Sequence, residues 1–112
     1  MDRNLSILGK MLEEIDYITD YTDKITFEEY IAAEDKKRVI AMTLINIGEL
    51  VRHLKKDFRK ENSHMPFDNI IGLRDVAAHG YKALRFDQIW NTIKRDLPEL
   101  KSQIKNLIDK KY

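Results

Sequence analysis

The chain of 112 residues has no cysteine, which excludes disulfide staples, thiolate metal sites and a cysteine nucleophile. Glycine (four) and proline (two) are also scarce. A β-rich fold of this length needs more turn residues, so the composition points to an all-α fold. No apolar run of about 18 residues occurs, which leaves no segment to span a membrane. The opening MDRNLSILGK places an acid at Asp2 and carries no apolar stretch ahead of a small-residue cleavage site. A secretory signal is therefore not expected, and with cysteine absent a cytoplasmic setting fits. No repeat, low-complexity segment or second domain is visible, so residues 1–112 read as one domain with one core.

Charge is abundant, at 35% of residues, but nearly balanced, with a net charge of +1. The balance hides an asymmetry: residues 1–35 carry −7 and residues 36–112 carry +8. The basic part can attract an anionic partner such as RNA, meet the acidic part of a second copy, or form a solvated surface.

Apolar periodicity lays out the helices. Leu5, Leu8, Leu12, Ile15 and Ile18 form one stripe of a 3.6-residue period, predicting a helix from residue 2 or 4 to 21. Thr26-Phe27-Glu28-Glu29 has the form of a capping box, with a short helix to follow through Tyr30 and Ile31. A long helix is expected over residues 34–60, with Ile40, Leu44, Ile47, Val51, Leu54 and Phe58 as its core stripe and Arg38, Ile45, Glu49, Arg52 and Lys56 on another face. Residues 61–65 read as a loop. Pro66 suits the first position of the next helix, which ends near Gly80. A last helical stretch begins near Phe86. Pro98 must kink or restart it, since proline cannot donate to the carbonyl of Lys94. Four or five such helices with short loops make a small antiparallel bundle.

The candidate chemistry sits in Arg74-Asp75-Val76-Ala77-Ala78-His79-Gly80-Tyr81. On a helix, Arg74, Asp75, Ala78, His79 and Tyr81 share a face spanning about 160°, with small Ala78 near its middle. His79 can carry a proton at neutral pH, Arg74 offers a planar fork for phosphate oxygens, and Asp75 stands one turn before His79. RNA cleavage needs a base for the 2′-hydroxyl, an acid for the leaving oxygen and a cation for the phosphate. One Arg and one His fall short of that set, and two copies across a two-fold axis supply it. The same residues also fit a surface salt bridge between Arg74 and Asp75. His53, His64 and His79 lack metal-ligand spacing. Arg52, His53, Lys55, Lys56, Arg59 and Lys60 read as a solvated helix end, since no aromatic platform accompanies them. Trp90 and the phenylalanines, at helical spacing, read as core.

Residues 45–51 (INIGELV), 66–81 (PFDNIIGLRDVAAHGY) and 86–104 (FDQIWNTIKRDLPELKSQI), with Phe27-Glu28-Glu29-Tyr30, resemble the HepT family of HEPN-domain proteins over nearly the whole chain. The resemblance implies a HEPN-like helical bundle that forms a homodimer with two motif helices facing across a cleft. It implies a metal-independent endoribonuclease without cofactor, the toxin of a toxin–antitoxin pair. Its partners would be RNA and a minimal nucleotidyltransferase (MntA-like) antitoxin, which silences the toxin by AMP transfer to the motif tyrosine and can build a larger hetero-oligomer with it. Carried over, Arg74 and His79 become the catalytic pair, Asp75 the supporting residue and Tyr81 the AMP acceptor. Asp75 departs from the family, which often has Asn there. An acid at that position weakens attraction for phosphate, yet can raise the basicity of His79. The other reading compatible with the same fold is a non-catalytic module that docks a nucleotidyltransferase or a nucleotide.

Overall fold

The structure, a computed structural model, describes residues 2–79 and 85–111, and among these the regular elements are all helical. Helix α1 (Arg3–Asp23) is started by Asp2, whose carboxylate accepts from the amides of Asn4 (2.7 Å) and Leu5 (3.4 Å). It runs past Tyr21 because Thr22 is buried, its hydroxyl donating to the carbonyl of Ile18 at 2.9 Å. The buried row is Leu8, Met11, Ile15 and Ile18, joined by Ile7 and Asn4, while Leu5 and Leu12 are only half-buried. The expected stripe is thus correct at Leu8, Ile15 and Ile18 and rotated at its edge, because α1 packs on both α3 and α7.

The capping box forms as expected at the head of α2 (Phe27–Ala32). The Glu29 amide donates to the Thr26 hydroxyl at 3.1 Å, and the Thr26 amide donates to the Glu29 carboxylate at 2.9 Å. Thr26→Ala should cost about 1 kcal/mol and lower Tm by several degrees in a thermal melt, without changing helix content at 25 °C.

Helix α3 (Glu34–His53) buries Ile40, Leu44, Ile47 and Val51, as the periodicity requires. The long helix expected over residues 34–60 is, however, broken. Leu54 and Lys55 adopt extended backbone before α4 (Lys56–Glu61) resumes. Leu54 and Phe58 remain buried across the break. The Lys55 amide freed there donates to the Asn4 side chain of α1 at 3.3 Å. Helix α5 (Phe67–His79) follows a turn. Pro66 stands just before it rather than at its first position, and the Pro66 carbonyl accepts from the Ile70 amide at 3.1 Å. The expected end at Gly80 lies outside the described residues.

Helix α6 (Phe86–Asn91) leads through a π-helical turn (Thr92–Asp96) into α7 (Leu97–Lys111). The kink or restart expected at Pro98 is realised as this wider turn, which absorbs the missing donor within an otherwise continuous rod. Ile93, Leu97, Leu100 and Ile104 stay buried through it. Against this rod packs an aromatic cluster. Tyr30 is stacked on Trp90 with ring centres 5.5 Å apart, and Phe27 and Phe86 sit edge-on around the pair. Lys37 lies 4.7 Å over Phe86 and Lys94 5.0 Å over Trp90. Tyr30 is buried in the core, and Phe27, Phe86 and Trp90 are partly buried against it, at its margin rather than its centre. The four long helical segments form a bundle of 42 × 27 × 22 Å, in which α3 and α5 make the most extensive contact.

Candidate functional site

The seam between α3 and α5 is set by Gly48. A β-carbon at this position would overlap the Cβ of Arg74 and crowd the Ile70 carbonyl at 3.4 Å. The backbones approach this closely only because no side chain intervenes. Glu49, the next residue on α3, is thereby brought to Arg74, and its Oε1 lies 2.5 Å from Nη2 of the guanidinium. Nη1 of Arg74 donates to Asp75 Oδ1 at 2.8 Å, and Glu49 also receives Nη1 of Arg52 at 3.3 Å. Arg52, Glu49, Arg74 and Asp75 thus form a row of alternating charge across two helices. The Arg74 side chain is only 19% exposed, whereas that of Asp75 is 52% exposed. Asp75, as hydrogen-bond acceptor, and Glu49 beside it hold the guanidinium above its ordinary pKa, against the opposing effect of burial. The cation is thus permanent, and its orientation is fixed from two sides. Its Nε is buried without a hydrogen-bond partner among the described residues.

Arg74 and His79 lie five residues apart on α5, about 7.5 Å along the axis at 1.5 Å per residue. The backbone of His79 closes α5, and its side chain is outside the described set, as is Tyr81. The salt bridge between Arg74 and Asp75, one of the sequence readings, is present. Asp75 Oδ1 is engaged with Arg74, so its expected support of His79 falls to whatever acceptor capacity remains. Glu49 is the residue sequence reasoning missed. Its periodicity puts it on a face of α3 apart from the core stripe, with Arg38, Ile45, Arg52 and Lys56, and the signal for its role is the glycine before it. A glycine inside a helix costs about 1 kcal/mol relative to alanine, and close approach of a second backbone is what offsets that cost.

Among the described residues, no three His, Asp or Glu side chains are placed to hold a metal ion. No helix searched there is long and apolar enough to cross a membrane.

The family model described as "Ribonuclease HepT-like" matches residues 11–107, a span that holds Gly48, Glu49, Arg74, Asp75, His79 and Tyr81. The chain belongs to this family. Among similar proteins, "Putative RNase TTE0752" of Caldanaerobacter subterraneus subsp. tengcongensis is 33% identical over 103 residues, covering 92% of this chain and 92% of that protein. "Putative RNase MJ1216" of Methanocaldococcus jannaschii is 32% identical over 92% of this chain and 85% of its own length. "Probable ribonuclease HepT" of Thermococcus cleftensis is 27% identical over 89% and 91%. No solved structure gives a match.

Proposed function

We propose that the chain is a metal-independent endoribonuclease, the toxin of a toxin–antitoxin pair, acting in the cytoplasm as a homodimer. The observation that carries the reading is the oriented Arg74, locked at the α3–α5 seam one and a half turns before His79 in a HepT-like chain whose relatives are named as ribonucleases. In the reaction, His79 takes the proton of a ribose 2′-hydroxyl, and the 2′-oxygen attacks the adjacent phosphorus. The bond to the 5′-oxygen breaks, and that oxygen takes a proton from the second His79 of the dimer. The products are a 2′,3′-cyclic phosphate and a 5′-hydroxyl. Arg74 stabilises the charge that builds on the phosphoryl oxygens in the transition state. No metal or cofactor is needed for these transfers.

Regulation follows from Tyr81. A minimal nucleotidyltransferase partner would move AMP from ATP to its hydroxyl, releasing pyrophosphate and placing a negative charge and bulk near Arg74. The partner can also hold the toxin in a larger hetero-oligomer. Expression of the chain should arrest growth, Arg74→Ala should relieve the arrest, and co-expression with the nucleotidyltransferase should add one AMP to the wild-type protein but not to Tyr81→Phe, read by intact mass. Arrest by Arg74→Ala equal to that by the wild type removes the nuclease reading.

A second reading is favoured by one observation: both terminal nitrogens of Arg74 already rest on carboxylates. A guanidinium so neutralised suits a module that docks the nucleotidyltransferase without cutting RNA. The same growth assay separates the two.

A further inference from the structure

Six arginine and lysine side chains of the described residues, at positions 38, 52, 74, 94, 95 and 101, are matched to a carboxylate. Lys56, Arg59 and Lys60 form no ion pair with a described residue, and they stand together. Their spacing of three and four residues puts them on one side of α4, while Phe58 on the other side is buried in the core. With His64 they line a groove of about 630 Å³ that runs to the start of α5. Met65 and Phe67 beside it are 4% and 2% exposed, so the groove rests on packed core. Asp68 is the single acid among its described lining residues. The Nε of Arg59 is buried without a hydrogen-bond partner among the described residues. The 13-residue α5 begins at the groove and adds the positive end of its dipole.

We propose that this groove is a docking track for the phosphate backbone of a single RNA strand, outside the cleavage motif; the inference rests on the ribonuclease reading above. In the sequence these cations look like a solvated helix end because no aromatic residue accompanies them. A track that holds phosphates and ignores bases needs no stacking platform. The groove is also placed to feed the motif. Asp68, Asp75 and His79 follow one another on α5 at steps of seven and four residues, which keeps the groove's α5 wall on the side of the helix that carries the motif. Asp68 and His79 are about 16 Å apart along the axis, so a strand held at α4 reaches His79 several nucleotides from the docked phosphates. Apolar floor, unpaired cations and one acid give binding that is strong at low salt and indifferent to sequence.

The test is binding of a fluorescein-labelled single-stranded 2′-O-methyl RNA, which cannot be cut, followed by anisotropy across a potassium chloride series. Each phosphate contact contributes about 0.7 to the slope of log K against log salt. The variant Lys56→Gln/Arg59→Gln/Lys60→Gln should flatten the slope by about 2 and weaken binding about tenfold or more at low salt. Lys10→Gln/Lys24→Gln, on α1 and at its C-terminal cap, should leave both unchanged. Should the triple variant fold poorly by circular dichroism, Lys56→Gln and Lys60→Gln singly, both at exposed positions, should each flatten the slope by about 0.7. A folded triple variant with the wild-type slope overturns the track, including the case where only self-association changes. If the wild type cuts RNA and that variant binds it normally, the track fails while the nuclease reading stands. A wild type that neither binds nor cuts RNA overturns both.

Discussion

His79→Ala should abolish RNA cleavage measured in the presence of a chelator, with a loss of about 10²–10⁴ in rate, while RNA binding at the α4 groove persists. Histidine is the one residue type of the motif that ordinarily serves as a proton carrier near neutral pH. Arg74 is held charged by Asp75 and Glu49 and cannot move a proton. Acid–base chemistry at this site therefore has one carrier per subunit. Arg74→Ala should damage the same step for a different reason, loss of charge stabilisation, and Arg74→Lys should not restore it. A lysine ammonium is a point charge and cannot span Glu49 and Asp75 while still presenting a planar edge to phosphate. Undiminished cutting by purified His79→Ala would remove this mechanism.

Gly48→Ala should destabilise the fold by a net of about 1–2 kcal/mol, lowering Tm by on the order of 5–10 °C. Alanine is the better helix former by about 1 kcal/mol, so propensity alone predicts the opposite sign. The overlap decides the outcome. The atom the new methyl meets is the Cβ of Arg74, which is fixed to the α5 backbone and can yield only if the whole helix shifts. Moving α5 away from α3 also pulls Arg74 off Glu49, so RNA cleavage should fall together with Tm. Gly9 and Gly72 are the internal comparison. A methyl at either meets nothing within 4 Å, and Gly9→Ala or Gly72→Ala should raise stability by up to about 1 kcal/mol. Thermal melts of the three variants check the prediction. A stabilised Gly48→Ala would mean that the helices are not in tight contact at this point.

What the sequence made legible follows from the range of the forces concerned. The Thr26 capping box joins residues three apart, and the α3 stripe repeats within one helix, so both could be read directly. The break at Leu54 and Lys55 could not. Leu54 and Phe58 keep core spacing whether or not the helix is continuous, and the group that takes up the freed amide, Asn4, is 51 residues away in the sequence. The edge of the α1 stripe was misplaced because two neighbours, α3 and α7, compete for that face. At the candidate site, Arg74 and Asp75 were visible as a motif on one helix. Glu49 was not, because its role depends on the contact of α3 with α5, and only an unexplained mid-helix glycine announced that contact.

The aromatic cluster has a practical corollary. Trp90 is the sole tryptophan, and its ring lies flat against Tyr30 of α2. Its ultraviolet emission is therefore an intrinsic optical gauge of one junction, where α2 rests on α6. Release of that short helix would register in the spectrum before the rest of the bundle melts.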